Sequence, residues 1–116
     1  MNFAVNTEVV EEGIAVIDLK GEVDLYTAPE FKQHLLGQVE NGVMKIVVDF
    51  TDTTFIDSTT LGVLVGGVKR LRPTGGSLAL VCNDPNILKI FEITGLDRVF
   101  PIHSSRDDAL SALATG

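Results

Sequence analysis

Val47-Val48-Asp49-Phe50 and, a few residues on, Ile56-Asp57-Ser58-Thr59-Thr60-Leu61-Gly62 decide how this chain is read. The first belongs to the apolar run Met44 to Phe50, the pattern of a central strand buried on both faces. A short polar connection follows. Three successive hydroxyls then open a segment in which Leu61, Leu64, Val65, Val68 and Leu71 keep helical period as far as Arg72. Hydroxyls at a helix start lie where backbone N–H groups point outward unpaired. The functional question is therefore what Ser58 is for.

Working outward, Phe3 to Val10 and Gly13 to Lys20 are rich in Val and Ile and read as strands of a hairpin, joined by the acidic turn Glu11-Glu12. Gly21-Glu22-Val23-Asp24 reads as a polar loop. Thr27-Ala28-Pro29-Glu30 has capping-box spacing, with Tyr26 and Phe31 at the positions of a hydrophobic staple and Pro29 in the first turn. Ala28, Phe31, Leu35 and Val39 mark one apolar face, and Asn41-Gly42 supplies a left-handed stop. Pro73-Thr74-Gly75-Gly76 ends the Ser58 helix, and Ser77 to Val81 is the next strand. Asp84-Pro85 opens a short helix that Gly95 closes. Val99-Phe100 is expected to be an edge strand, and Ser105 to open a terminal helix through Ala109, Leu110 and Leu113. Strands alternating with helices predict an α/β fold, a mixed sheet of about four to five strands packed against about four helices. Residues 1–116 are expected to form one domain, without repeats or linkers.

Apolar residues make up 45% and charged residues 22% of the 116, as in soluble globular proteins. Sixteen acidic against nine basic residues leave a net charge of −7, which disfavours nucleic acid and anionic membrane surfaces. The basic group Lys69, Arg70 and Arg72 falls in the last turn of a helix, where cations complement the macrodipole. No signal peptide is visible, and no apolar run approaches the ~20 residues of a membrane span. A cytoplasmic location is expected. Cys82, at the end of an apolar strand, reads as a small buried hydrophobe.

Several chemistries fit poorly. A hydrolase serine wants a Gly-x-Ser-x-Gly elbow and a histidine base. Ser58 has no flanking glycine, His34 reads as a solvated helix residue, and nothing marks His103 as paired. A receiver domain would use Asp49 or Asp57 as phosphoacceptor, but needs further acidic residues for a divalent cation. Asp18 is a single aspartate within a strand. One cysteine and two histidines make no metal-ligand spacing. Gly62, Gly66 and Gly67 lie inside a helical pattern rather than before it, so they cradle no pyrophosphate and read as packing or partner positions. By themselves, Asp57 and the hydroxyls also read as an ordinary helix cap.

From Gly21 to Gly95 the chain resembles the bacterial anti-sigma factor antagonists, small members of the STAS domain family. Gly21-Glu22-Val23-Asp24, Val47 to Phe50, Phe55 to Leu64 and Gly75 to Val81 carry the resemblance, and Ile87 to Phe100 is similar to actinobacterial members. It implies no catalysis and no cofactor or metal. It implies instead that Ser58, less so Thr59, is phosphorylated by an anti-sigma factor with serine kinase activity. The unphosphorylated form binds that kinase and frees a sigma factor, and a serine phosphatase reverses the modification. Glu22, Asp24, Asp57, Ser58, Thr59, Thr60, Leu61 and Gly62 are the implied partner surface. Thr60 stands where the family usually carries glycine, and is expected to add bulk on the approach to Ser58. A phosphate at Ser58 adds about −1.5 to −2 charges, which a helix N-terminus tolerates and a partner feels.

Overall fold

The computed structural model describes residues 3–11 and 13–115. Glu12, half of the expected acidic turn, lies outside the described residues. The elements run β1 (Phe3–Glu11), β2 (Ile14–Val23), α1 (Ala28–Glu40), β3 (Lys45–Ile56), α2 (Ser58–Leu71), β4 (Ser77–Val81), α3 (Pro85–Thr94), β5 (Ile102–His103) and α4 (Arg106–Thr115). They form one five-stranded mixed sheet in the order β1-β2-β3-β4-β5, with β1 antiparallel to β2 and the other pairs parallel.

Three successive crossovers advance across this sheet in one direction. Connections of a single hand then deliver α1, α2 and α3 to the same face. Alternation along the buried strands separates the two faces. Ala15, Ile17 and Leu19 of β2, Ile46, Val48 and Phe50 of β3, and Leu78 and Leu80 of β4 meet Phe31, Leu35, Leu64, Val68, Ile87 and Phe91 of these helices. Val16, Val47 and Val81 face the other way, against Ala109 of α4. Arg106 at the start of α4 reaches Asp49 at 3.3 Å, and Lys45 Nζ donates to the Leu113 carbonyl near its end at 2.9 Å.

The helix stops follow the sequence. Gly42 adopts φ +84°, Val43 N–H bonds to Gln38 O, and Gly42 N–H to Val39 O, the paired bonds of a Schellman turn. Asp84 accepts from Asn86 N–H at 2.8 Å, and Ser105 Oγ accepts from Asp108 N–H, so both expected caps form.

Five expectations change. Gly21-Glu22-Val23 is not a loop but the end of β2, paired with β3 out to Val23 opposite Ile56. The polar link Thr51 to Phe55 is likewise strand, and β3 carries two more residues than β2 over this stretch, so its register slips twice. Thr53 is buried there and gives its hydroxyl proton to Leu19 O at 2.8 Å. The capping box does not form: Thr27 makes no side-chain cap, and its hydroxyl turns back to β2. Tyr26 is 82% exposed, so it staples nothing, whereas Phe31 is buried. Finally, β5 comes after Val99-Phe100, because a 3₁₀ turn at Leu96–Arg98 swings Phe100 into the core.

Candidate functional site

The C-terminal ends of β2 and β3 lie side by side, with Glu22 opposite Phe55 and Val23 opposite Ile56. The segments leading into α1 and α2 therefore leave the sheet together. Asp57 is the N-cap of α2, extended at φ −131° and ψ −173°. Its Oδ1 accepts from Thr59 N–H at 3.0 Å and Thr60 N–H at 3.3 Å. That fixes the first turn and leaves Ser58, the first helical residue, exposed. Thr59 and Leu61 are half-buried and Gly62 is exposed.

Thr60 points the other way. It is fully buried, and its hydroxyl donates to Val23 O at 2.7 Å. The expectation that it crowds the approach to Ser58 is thereby corrected. At the third position of the helix, its side chain turns under the first turn towards the sheet. The hydroxyl ties the Ser58 helix to the end of β2.

The segment entering α1 is equally tied. Asp24 Oδ1 accepts from Tyr26 N–H at 2.9 Å and Thr27 N–H at 3.1 Å, an Asx-type turn. Asp24 N–H donates to Thr27 Oγ1 at 2.8 Å, and the Thr27 hydroxyl donates to Glu22 O at 2.9 Å. Asp24 is half-buried by this work, while Glu22 stays exposed. Three buried threonines (Thr27, Thr53 and Thr60) thus donate to three carbonyls of one strand end.

Around Ser58 the surface is acidic and apolar together. Leu25 is 62% and Phe55 49% exposed, beside the projecting Tyr26. Sequence reasoning missed these three. Their signal was large apolar residues flanked by polar ones at a strand end and in a turn, where no core position is available.

The other chemistries lack an assembled site. His34 is half-buried rather than solvated, with Nδ1 2.7 Å from Thr7 Oγ1 on β1, and His103 lies in β5, two strands from β3. Neither is positioned with Ser58. Asp49 is buried under α4, held by Thr51 and Arg106, not displayed at a strand end. Asp18 stands beside it in register, and burial first, then the Asp49 charge, pushes its carboxyl above the ordinary range. Among the described residues, no three of His, Cys, Asp and Glu gather as a metal site. Cys82 is buried, which raises its thiol pKa.

The family model described as the STAS domain matches residues 6–109. The chain belongs to the STAS domain family. This STAS domain is 38% identical over 101 residues to the anti-sigma-B factor antagonist of Listeria monocytogenes serovar 1/2a, spanning 84% of this chain and 88% of that protein. It is 34% identical over 107 residues to the anti-sigma-B factor antagonist of Bacillus subtilis, spanning 92% and 96%. The crystal structure of an anti-sigma factor antagonist from Mycobacterium paratuberculosis superimposes with a TM-score of 0.87 at 29% identity, covering 96% of this chain and 93% of that one. Among the described residues, no helix is long and apolar enough to cross a membrane.

Proposed function

We propose that this STAS domain is an anti-sigma factor antagonist controlled by phosphorylation of Ser58. The observation that carries the reading is the exposed Ser58 at a capped helix start, in a chain similar over most of its length to antagonists of anti-sigma-B factors. The unphosphorylated domain binds an anti-sigma factor, releasing a sigma factor to the polymerase. The anti-sigma factor is also a serine kinase, and a serine phosphatase resets the cycle in the cytoplasm. The domain is the substrate and supplies no catalysis.

The geometry supports a change of surface rather than of fold. A phosphate on Ser58 meets the helix dipole and outward N–H groups, which favour it. Asp57, with its cap bonds, and the threonine ties leave the scaffold little to rearrange. The added charge sits beside Glu22 and Asp24 on a surface that, with Leu25, Tyr26, Phe55, Thr59, Leu61 and Gly62, faces the partner. A partner shaped for a neutral hydroxyl then meets bulk, repulsion and a desolvation cost. Thr60 serves this surface from beneath.

The test is incubation with the anti-sigma factor and ATP, followed by peptide mass mapping of wild type and Ser58→Ala. Label on wild type at Ser58 and none on Ser58→Ala is expected. Equal labelling of both overturns the assignment and moves it to Thr59. Ser58→Asp should weaken anti-sigma binding by about tenfold or more, as expected when like charges are brought together in an interface.

A further inference from the structure

β1 forms one edge of the sheet and β5 the other. β5 has two residues, too few to serve as a pairing template, but β1 has nine and carries neither lysine nor proline, the residues that blunt an edge. Its bulge lies near its end, between Val9 and Glu11. The direction of its free amides follows from β2. Gly13 O accepts from Lys45 N–H and Leu19 O from the Thr53 hydroxyl, so odd-numbered residues of β2 turn towards β3. The even ones bond β1 through Ala4, Asn6 and Glu8, leaving Phe3, Val5, Thr7 and Val9 with N–H and C=O pointing outward. Among the described residues no other backbone group meets them. Val9 is also 60% exposed and Phe3 half-buried, both on the α1 side of the sheet.

This edge is complementary to itself. In an antiparallel pair, outward residues of one copy meet outward residues of the other. A two-fold axis at Asn6 sets Phe3 against Val9 of the second copy and Val5 against Thr7, about eight backbone hydrogen bonds in all. The exposed Val9 then lies beside an aromatic ring, a favoured cross-strand pair. Glu8 meets Ala4, so no like charges face each other. An axis at Glu8 would oppose two carboxylates, and one at Thr7 would set Phe3 against Glu11. The helices fit as well. α1 lies across β1 and β2 alike, with His34 Nδ1 2.7 Å from Thr7 Oγ1. With strands about 4.8 Å apart, the α1 axes of two copies come about 10 Å apart, an ordinary helix-packing distance. Gly37 shares the His34 flank of α1, and a Cβ there would meet nothing within 4 Å. No neighbour in this chain requires glycine at that mid-helix position; a second α1 passing alongside supplies a reason.

We propose that two copies of this chain pair antiparallel through β1 about an axis at Asn6, joining their five-stranded sheets into one. The proposal rests on strand order and register and is independent of the antagonist reading. Because the axis reverses strand direction, the two Ser58 sites lie at opposite ends of the joined sheet, and both stay exposed.

The experiment is sedimentation equilibrium of the full chain. Wild type should be half dimeric at roughly 10–100 µM, as befits a small interface. Ala4→Glu brings two like-charge pairs against Glu8 and should weaken association about three- to tenfold. Its carboxylate faces the chain's own Lys20 on β2, so the melting temperature should not fall. Adding Glu8→Lys should restore the dimer. Lys89→Gln, on the exposed side of α3, makes the same change of net charge and should stay within about twofold of wild type. Asn6→Cys places two thiols on the axis at a non-hydrogen-bonded pair, with Cα atoms about 4.5 Å apart, within disulfide reach. Oxidised glutathione should link it at least about tenfold faster than Ala4→Cys, whose counterpart is Glu8. A wild type still monomeric at about 1 mM refutes the pairing. So does association that Ala4→Glu leaves unchanged, which puts the contact on another surface, or equal linking of the two cysteine variants. Each of these failures leaves the antagonist reading standing, since kinase labelling of Ser58 tests that separately.

Discussion

Replacing Thr60 with valine removes one donor and keeps the shape. The hydroxyl lies 2.7 Å from Val23 O, with no solvent access to compensate its loss. A net hydrogen bond contributes about 1 kcal/mol, and a buried acceptor deprived of its donor costs about 1–3 kcal/mol. The extra buried methyl returns at most about 0.8 kcal/mol. Thr60→Val should therefore lose about 1–2 kcal/mol net, the balance of those terms. Urea denaturation followed by circular dichroism would read this as a lower midpoint at unchanged slope. Amide exchange should quicken most around Val23 to Ala28 and the first turn of α2, the segments the bond joins. Kinase labelling of Ser58 should stay within about twofold, because the altered side chain faces inward and no transition-state contact is removed. A variant as stable as wild type refutes the buried-bond argument. One that folds normally but is phosphorylated much faster or slower restores Thr60 to the approach to Ser58.

Other outcomes follow from neighbouring contacts. Asp57→Ala removes the acceptor of two N–H groups and should cost about 1 kcal/mol, read as a lower melting temperature. Gly67→Ala must push a Cβ into Leu35 and should be destabilised by about 1 kcal/mol or more despite its better helix propensity, measured by urea titration. For Asp18, the folded chain binds a proton more tightly than the unfolded chain, whose carboxyl titrates near the ordinary 3.8. The favourable contribution is complete below that value and is lost as pH rises through the higher folded value. Asp18→Asn should accordingly melt higher than wild type at pH 7, with the difference vanishing on acidification; the nearer Arg106–Asp49 contact survives the change.

The helices were largely legible in the sequence because their signals are local. Asp57, Asp84 and Gly42 act on groups within a few residues, and β3 announces its burial by composition. What the sequence hid were bonds formed across the fold. Thr27 has ideal spacing for a capping box, yet Glu22 O is a buried acceptor that competes for its hydroxyl. Thr60 looks like a surface hydroxyl beside Ser58 until Val23 O is placed beneath it. The polar run Thr51 to Phe55 resembles a loop because two register slips break the strand alternation, leaving Thr51, Asp52, Thr54 and Phe55 exposed and only Thr53 enclosed. Leu25 and Phe55 carry only the weak mark of large apolar residues among polar ones, because an exposed apolar residue has no periodic signature.

The three threonine ties also govern timing. A docking segment already held at Glu22, Val23 and Leu19 need not fold as the partner arrives. Encounter is then limited by collision and orientation, in the usual range of about 10⁵–10⁷ M⁻¹s⁻¹. On the proposed reading, a phosphate on Ser58 would act on the lifetime of the complex more than on the rate at which it forms.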